Sequence, residues 1–341
     1  MAKTTLKSLA RELNLSVSTV SKALNDSYEI SEVTKEKVKA LAEKLNYKPN
    51  VLAQFLKTGR TRTVGVVIPK MTNPFESQII EGIQQAAIEK NYRTVVISSL
   101  EDEKIERLAL ESMVDKSVDA ILFCPLNESS NTDLISEIIK YTPLVIFDRT
   151  NYPIDTHKIG VLNAEGTYNA CMHLFDSGRD KIAIFCGLDL GLTPDRISGY
   201  TKAHEDKAIP LNNEYYAYCS LKSIEELHRE LEENVKRLLA LPTPPNAILA
   251  ISDTITTHLL GVLAHMEIAV PAEIAVIGFA NTELALSLNP SLSTIRQPAR
   301  DIGQISFKKA YEIINTKYKN QIEWQDIKLP TTIQLRKSTK G

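Results

Sequence analysis

The sequence predicts an α/β protein with an N-terminal all-α helix-turn-helix head and a larger, doubly wound body of two lobes. Apolar residues recur at helical spacing through residues 1–48, and from Thr63 onward short β-branched runs alternate with amphipathic stretches. Strand–helix alternation of this kind gives parallel sheets covered by helices on both faces. A chain of 341 residues has room for two or three such domains.

The balance of basic and acidic side chains also changes near residue 62. Residues 1–62 contain 12 basic and 6 acidic side chains, whereas the remainder contains 28 basic and 36 acidic ones. A basic head on an acidic body suits a head that meets a polyanion, although solubility alone explains such a charge about as well. The four cysteines lie far apart, and no apolar run has the length of a bilayer span. We therefore expect a soluble cytoplasmic protein with no membrane contact, disulfide framework, metal or cofactor.

The head begins with two short helices. The apolar residues of Leu6–Leu13 share one helical face, Thr5 can cap its start, and Asn14 suits the left-handed conformation of a tight turn. Ser16 then caps a second helix from Val17 to about Leu24. Two helices around a three-residue turn form a helix-turn-helix. A helical hairpin with no role in DNA binding would give the same pattern.

A third helix begins after Ser31, and the outer face of the second helix favours DNA binding. The expected buried stripe of the third helix is Val33, Val38, Leu41, Ala42 and Leu45. Small hydroxyl groups let a helix approach phosphates closely, and one long cation can reach a guanine edge. The exposed face of the second helix has this composition: Ser16, Ser18, Thr19, Ser21 and Lys22.

These residues resemble the DNA-binding head of the lactose/galactose-repressor (LacI/GalR) family. The similarity lies in TLKSLARELNLSVSTVSKALN at 5–25, ISEVTKEKV at 30–38, LNYKPN at 45–50 and the hinge-like VLAQFLKTG at 51–59. The resemblance implies a head at 1–48, a hinge helix and linker at 49–61, and an effector-binding and dimerisation domain at 62–341.

The resemblance also implies roles for individual residues of the head and hinge. Asn50, Ala53 and Leu56 match a hinge helix that enters the minor groove, with Leu56 as a wedge between base pairs. Gln54 stands where an arginine is more common. A hinge of about nine residues cannot hold a helix alone in water, so we expect it to order beside a partner hinge on DNA. Base reading is implied for Val17, Ser18 and Lys22, and phosphate contact for Ser16, Thr19, Ser21, Asn25, Ser31 and Thr34.

The body contains enough strand candidates for two sheets. Helical stretches such as Glu76–Glu89, Glu225–Leu241 and Thr254–His265 separate them. No G-x-G-x-x-G, Walker loop, G-x-S-x-G or HExxH motif is present, and the six histidines show no metal spacing, so an enzyme is not expected. The candidate strands are Val64–Pro69, Thr94–Ser98, Ala120–Pro125, Leu144–Phe147, Ile159–Leu162, Lys181–Cys186, Tyr215–Cys219, Ala247–Ile251 and Ile274–Gly278.

The body resembles the effector domain of the same family, which has the two-lobed fold of type I periplasmic sugar-binding proteins. TNPF at 72–75, FDR at 147–149, RISGY at 196–200, SD at 252–253 and TIRQP at 294–298 fall in family order. The resemblance implies one lobe of about 63–161 and 292–322, and a second of about 162–291 and 323–341. Ligands of such folds bind at strand ends between the lobes.

Position implies five ligand contacts in that cleft. Phe75 could stack on a sugar ring or simply belong to the core. Asp148 and Arg196 could clamp hydroxyls or a carboxylate, Asp253 could accept from two hydroxyls, and Gln297 could close the rim. Arg196 and Asp253 could equally form a structural ion pair between the lobes. The family usually has Gly-Phe-Asp-Asp at 278–281, where this chain has GFAN, which changes the charge beside the cleft or the lobe contact.

The sequence therefore predicts a DNA-binding transcriptional repressor that binds a pseudo-palindromic operator as a homodimer. A small polar ligand in the cleft, a sugar or sugar derivative, would control operator affinity allosterically by shifting the lobes and melting the paired hinges. The same regulator controlled by a nucleobase or a protein corepressor is the main alternative. A sugar-binding protein or an enzyme on the same fold is a remoter one.

Overall fold

The computed structural model describes residues 5–47, 59–188, 191–316 and 322–340, and the chain divides into two compact units after Thr61. The first unit contains three helices, α1 (Leu6–Leu13), α2 (Val17–Leu24) and α3 (Glu32–Lys44), at the predicted positions. Thr5 Oγ1 accepts a hydrogen bond from the Ser8 amide at 3.2 Å, and Asn14 has a φ of 56°, so the predicted cap and tight turn are confirmed.

One residue predicted to be buried in α3 is exposed. Val33 is 63% exposed, whereas Lys35 is only 5% exposed. Lys35 Nζ lies 2.7 Å from the Glu32 carboxylate and 3.3 Å from that of Asp26. Lys35 precedes Val38 and Ala42 at spacings of three and seven residues, so all three share the inner face of the helix. The prediction for Val33 was wrong because Val33 lies in the first turn, off this face.

The body contains two six-stranded sheets. The first sheet has the order β11-β5-β4-β3-β1-β2, all parallel, with α4 and α11 on one face and α5 and α6 on the other. We call it, with its helices, the first lobe. Its elements are β1 (Thr63–Ile68), α4 (Pro74–Glu89), β2 (Arg93–Ser98), α5 (Glu103–Asp115), β3 (Ala120–Phe123), α6 (Thr132–Ile138), β4 (Leu144–Phe147), β5 (Lys158–Val161), α11 (Ala299–Asn315) and β11 (Asp326–Leu329).

The second lobe repeats this plan. Its sheet has the order β12-β10-β9-β8-β6-β7 and is parallel except for the antiparallel edge strand β12. Apolar cores lie on both faces, under α7 and α8 and under α9 and α10. Its elements are α7 (Asn163–Asp176), β6 (Ile182–Gly187), α8 (Thr193–Asp206), β7 (Tyr216–Cys219), α9 (Ile224–Leu239), β8 (Ala247–Ala250), α10 (Asp253–His265), β9 (Ala275–Phe279), β10 (Ser293–Arg296) and β12 (Thr332–Gln334).

The nine predicted strands correspond to β1–β9, and the doubly wound fold is confirmed. The lobe boundaries need correction. Residues 292–322 were assigned to the first lobe, but β10 pairs with β9 of the second. Residues 323–341 were assigned to the second lobe, but β11 pairs with β5 of the first. The strands β10, β11 and β12 have only three or four residues and few apolar ones, so their partners emerge only from the tertiary fold.

Two glycines allow the close packing of α4 against α11. A Cβ atom on Gly82 would lie 2.1 Å from the Arg300 carbonyl oxygen, and one on Gly303 would lie 2.1 Å from that of Ile79. The backbones of α4 and α11 are therefore in direct contact at these two glycines. Among the described helices, none is both long and apolar enough to cross a bilayer.

Candidate functional site

The outer face of α2 carries the side chains predicted to read bases. Val17 is 43% exposed at the first turn, and Ser18 beside it is exposed. Lys22, half-exposed in the last turn, contacts the carboxylate of Glu29. This pairing holds the ammonium near the helix, and a base edge would have to compete with Glu29 for it.

The six residues predicted to face phosphates lie mainly at helix starts. Ser16 Oγ accepts a hydrogen bond from the Thr19 amide at 3.0 Å and lies 2.8 Å from the Thr19 hydroxyl. Ser31 and Thr34 form the same arrangement at α3, with their hydroxyl oxygens 2.9 Å apart. Asn25 Nδ2 donates to the Ser21 carbonyl at 2.7 Å. Helix N-termini with capping hydroxyls suit phosphate oxygens, so these residues remain predicted DNA contacts.

The hinge predictions concern residues that the structure does not describe. Asn50, Ala53 and Leu56, together with Gln54, lie outside the described ranges. Their roles stay predictions.

A cavity of about 70 Å³ lies between the two lobes of the body, at the carboxyl ends of both sheets. This is the edge where ligands bind in doubly wound folds. Its walls come from both lobes, and it has room for a few water-sized groups. All five residues predicted to contact a ligand line it: Phe75, Asp148, Arg196, Asp253 and Gln297.

Arg196 of α8 is pinned at the cavity wall by three acceptors. It donates to Asn163 Oδ1 at 2.9 Å, to the Ile251 carbonyl at 2.7 Å and to Gln297 Oε1 at 3.1 Å. Its guanidinium carbon lies 3.7 Å from the centre of the Phe279 ring. Burial lowers the pKa of Arg196 to about 10, so it remains charged at neutral pH, with two of its five N–H groups unpartnered among the described residues.

Asp148 faces Arg196 from the other lobe, directly after β4. It is 6% exposed, and its Oδ1 atom has no hydrogen-bond partner among the described residues. Burial raises the pKa of this carboxyl, against the opposing effects of Arg149 and Arg196. Its backbone φ of 65° is a left-handed conformation that Asp tolerates at a cost. An unpartnered buried acceptor in a cavity is a position that a ligand hydroxyl or N–H can satisfy.

Asp253, the first residue of α10, presents one carboxylate oxygen to the cavity wall. Its Oδ2 accepts the Asn281 amide at 2.6 Å, and burial raises the pKa of Asp253 to about 6. Among the described contacts, no ion pair joins Asp253 to Arg196, and both residues belong to the second lobe. The alternative of an ion pair between the lobes is therefore wrong.

Phe75 serves the core and the cavity together. It lies in the second position of α4, is 4% exposed, packs in the apolar core of the first lobe and also lines the cavity. Gln297 lies between β10 and α11, where the chain returns to the first lobe. Whether these residues contact a ligand stays a prediction.

Sequence reasoning missed four charged residues of the same cavity: Lys70, Glu76, Glu101 and Arg149. Glu76 is 4% exposed, its Oε2 accepts the Lys70 amide at 2.8 Å, and burial raises its pKa to about 8. Arg149, next to Asp148, donates to the Pro125 carbonyl at 3.2 Å and also to that of Leu126. Glu76 directly follows the TNPF motif at 72–75, and Arg149 is the last residue of the FDR motif at 147–149. Their position near the ends of strands is the feature of the sequence that could have predicted them as cavity residues.

A wider vestibule of about 860 Å³ adjoins the cavity through Glu101, Arg149 and Leu221, which line both. Its cations are Arg149 and Lys222. Carboxylates outnumber them, and their field disfavours the approach of anions. The carboxylates are Glu101, Glu103, Glu128, Glu226 and Glu230.

Comparisons with known proteins match the head and the body of this chain to two separate family models. Residues 5–50 match the family model of bacterial regulatory proteins of the lacI type, and residues 171–339 match a periplasmic binding protein-like domain. The chain is 31% identical over 325 residues to the transcriptional repressor PurR of Vibrio vulnificus, which covers 93% of this chain and 92% of that protein. It is 30% identical over 309 residues to the ribose operon repressor of Escherichia coli, covering 89% and 90%. These relatives are transcriptional repressors and not enzymes.

Solved structures share the fold. The Lac repressor dimer bound to operator and an anti-inducer superposes with a TM-score of 0.84 at 24% identity, covering 99% of each chain. The complex of the regulator CelR with cellobiose superposes with a TM-score of 0.71 at 23% identity, covering 98% of this chain and all of that one.

Proposed function

The chain belongs to the LacI family of DNA-binding transcriptional repressors, and from this premise we propose that it binds a pseudo-palindromic operator as a homodimer under the control of a small polar ligand. One head reads one half-site, so a two-fold symmetric pair reads both. A ring-sized ligand needs more room than the cavity of about 70 Å³ offers, so its binding moves the lobes apart and, through the hinge segment at 49–61, changes how the heads are held.

The observation that carries the ligand proposal is the buried Oδ1 of Asp148, which has no hydrogen-bond partner in the described part of the chain and lies in the same cavity as the pinned guanidinium of Arg196. A neutral sugar supplies hydroxyls that donate to Asp148 and Asp253 and accept from Arg196. The vestibule glutamates favour a neutral ligand over a sugar phosphate. A relative named as a ribose operon repressor makes a pentose the first candidate.

A purine base is the second candidate. A relative of 31% identity is named PurR, and the aromatic side chain of Phe75 lines the cavity. A base would use its ring N–H groups on the carboxylates and its carbonyl on Arg196, so the same residues would be engaged.

A thermal-unfolding screen of the full chain tests the ligand class. The single tryptophan, Trp324, lies in the first lobe beside His157 and reports unfolding of the body. The compounds are D-ribose and other neutral sugars, ribose 5-phosphate, and hypoxanthine and guanine. A true ligand at a hundred times its Kd stabilises the folded state by about 2.7 kcal/mol.

The matched variants are Asp148→Asn and Glu128→Gln. Asparagine at 148 suits the left-handed backbone and removes the charge, and we expect it to abolish stabilisation by the ligand. Glu128, exposed in the vestibule, should leave it unchanged. If no compound stabilises the wild-type chain, the small-ligand proposal is wrong; if Asp148→Asn responds fully, Asp148 is not a ligand contact. Selection of duplexes from a randomised library by the wild-type chain tests operator binding separately.

A further inference from the structure

Two buried amides join the lobes beside the ligand cavity. Gln78 on α4 of the first lobe donates through Nε2 to the backbone carbonyl of Asn281 at 3.0 Å. Asn281, which follows β9 of the second lobe, donates through Nδ2 to Gln78 Oε1 at 2.9 Å. Gln78 is 6% exposed and Asn281 is fully buried, so water competes little for these bonds.

The same asparagine is bonded to two residues of the cavity wall. Its amide N–H donates to Asp253 Oδ2 at 2.6 Å. Its side chain forms a pair of bonds with the backbone of Gln297: Nδ2 donates to the carbonyl at 2.9 Å and Oδ1 accepts from the amide at 3.0 Å. Asn281 therefore connects Asp253 of the second lobe, and Gln297 in the connection between the lobes, to a helix of the first lobe.

We propose that the Gln78–Asn281 pair is a latch that couples occupancy of the cavity to the relative position of the lobes. This inference rests on the proposed function, since it concerns how ligand binding is transmitted. The two residues are positioning residues. A ligand that draws on Asp253 or Gln297 moves the atoms to which Asn281 is bonded, and the latch passes that displacement to α4.

The latch needs an amide at position 281. Asn281 Nδ2 donates to two carbonyl-type oxygens, Gln78 Oε1 and the Gln297 carbonyl, whereas a carboxylate has no proton to donate. Aspartate at this position would place a carboxylate oxygen against the Gln297 carbonyl in a buried site. The neutral amide of Asn281 therefore allows an uncharged contact between the lobes.

A nearby ion pair cannot replace the latch. Arg300 of the first lobe and Glu283 of the second approach to 3.7 Å, but their side chains are 44% and 72% exposed. Exposed pairs of this kind contribute little to stability because water and salt screen them.

The experiment measures the width of the cleft in full chains without ligand. Glu128 and Lys222 are exposed residues of opposite lobes that line the vestibule, and all four native cysteines are buried. Spin labels on cysteines introduced at both positions report the distance across the mouth by double electron–electron resonance. Labelled chains are diluted into unlabelled chains so that only distances within one chain contribute.

Three variants are compared in the labelled background. Gln78→Met keeps the size of the side chain and removes both bonds between the lobes, and Asn281→Asp removes the donor. Gln85→Met is the control, because Gln85 lies exposed on the same helix and its partner, Gln304, belongs to the same lobe. Melting temperatures and circular dichroism confirm that each variant is folded.

We expect longer, broader distance distributions in Gln78→Met and Asn281→Asp, with an increase of about tenfold in the ratio of open to closed cleft. Gln85→Met should match the wild type. Distributions of Gln78→Met and Asn281→Asp that match the wild type overturn the latch.

A second arm titrates each variant with the duplex that the wild-type chain selects from a randomised library. We expect the affinity of Gln78→Met to differ from that of the wild type and Gln85→Met by about fivefold or more. An opened cleft with unchanged affinity overturns the coupling role. If the wild-type chain selects no duplex, the proposed function fails, while the distance measurement still decides whether the pair holds the lobes together.

Discussion

Replacing Glu76 by glutamine is expected to remove a pH dependence of stability from the body. Burial raises the pKa of Glu76 from its ordinary value of 4.5 to about 8. Between these two values the folded protein holds a proton that the unfolded chain releases, so stability falls as the pH rises. Glutamine can still accept the Lys70 amide that Glu76 now accepts at 2.8 Å, but it does not titrate.

The magnitude follows from the two pKa values. At about 1.4 kcal/mol per pH unit where only the unfolded state is ionised, the wild-type chain should lose about 2–3 kcal/mol relative to Glu76→Gln between pH 5 and pH 7. The loss should reach about 3–4 kcal/mol by pH 8 and level off above it. Other titrating groups act on both chains and cancel in the difference.

Urea unfolding at each pH, followed by the fluorescence of Trp324, measures this difference for the body. Glu89→Gln is the matched control, because Glu89 is exposed at the end of the same helix. A constant difference between wild type and Glu76→Gln from pH 5 to pH 8 would refute the reasoning, since Glu76 would then ionise as easily in the folded chain as in the unfolded one.

Three further predictions concern the head, the helix packing and the cavity. Lys22→Ala should weaken operator binding by about 1–3 kcal/mol and relax base preference; equal preference of both proteins in duplex titrations would contradict it. In urea unfolding, Gly82→Ala should destabilise the body by about 3 kcal/mol, because its Cβ would lie 2.1 Å from a carbonyl oxygen, whereas Gly261→Ala, with open space around it, should stabilise it by about 0.5–1 kcal/mol. Arg196→Lys keeps the charge but loses the planar guanidinium group, so the ligand should raise the melting temperature of this variant less than that of the wild type. An equal increase in melting temperature would show that the guanidinium group is not needed.

Patterns in adjacent residues were enough to predict the three helices of the head and their caps. Thr5, Ser16 and Ser31 cap helices because their hydroxyls accept from amides three residues ahead, and such contacts depend on adjacent sequence alone. Val33 shows the limit of this reasoning. An apolar residue in the first turn of a short helix lies on the inner face only if the packing of the other helices places that face there, and Lys35 takes the inner position instead.

In the body, the sequence predicted β1–β9 because each is a run of apolar, mostly β-branched residues that a parallel sheet buries on both faces. The short strands β10–β12 lack that pattern. Their sheets are decided by pairing with strands distant in sequence, which is why the lobe boundaries were misplaced.

The sequence by itself determined the family, the helix-turn-helix, the doubly wound lobes and five side chains at strand ends, because these follow from local spacing and motif. Only the tertiary structure decided the burial, the pKa values and the hydrogen bonds of the side chains in the cavity. The raised pKa of Glu76, the Asp148 oxygen that lacks a partner among the described residues, and the bonds from Gln78 to Asn281 arise where chain segments as far as 203 residues apart exclude water together. Burial and hydrogen-bond satisfaction are properties of that enclosure, and no local pattern encodes them.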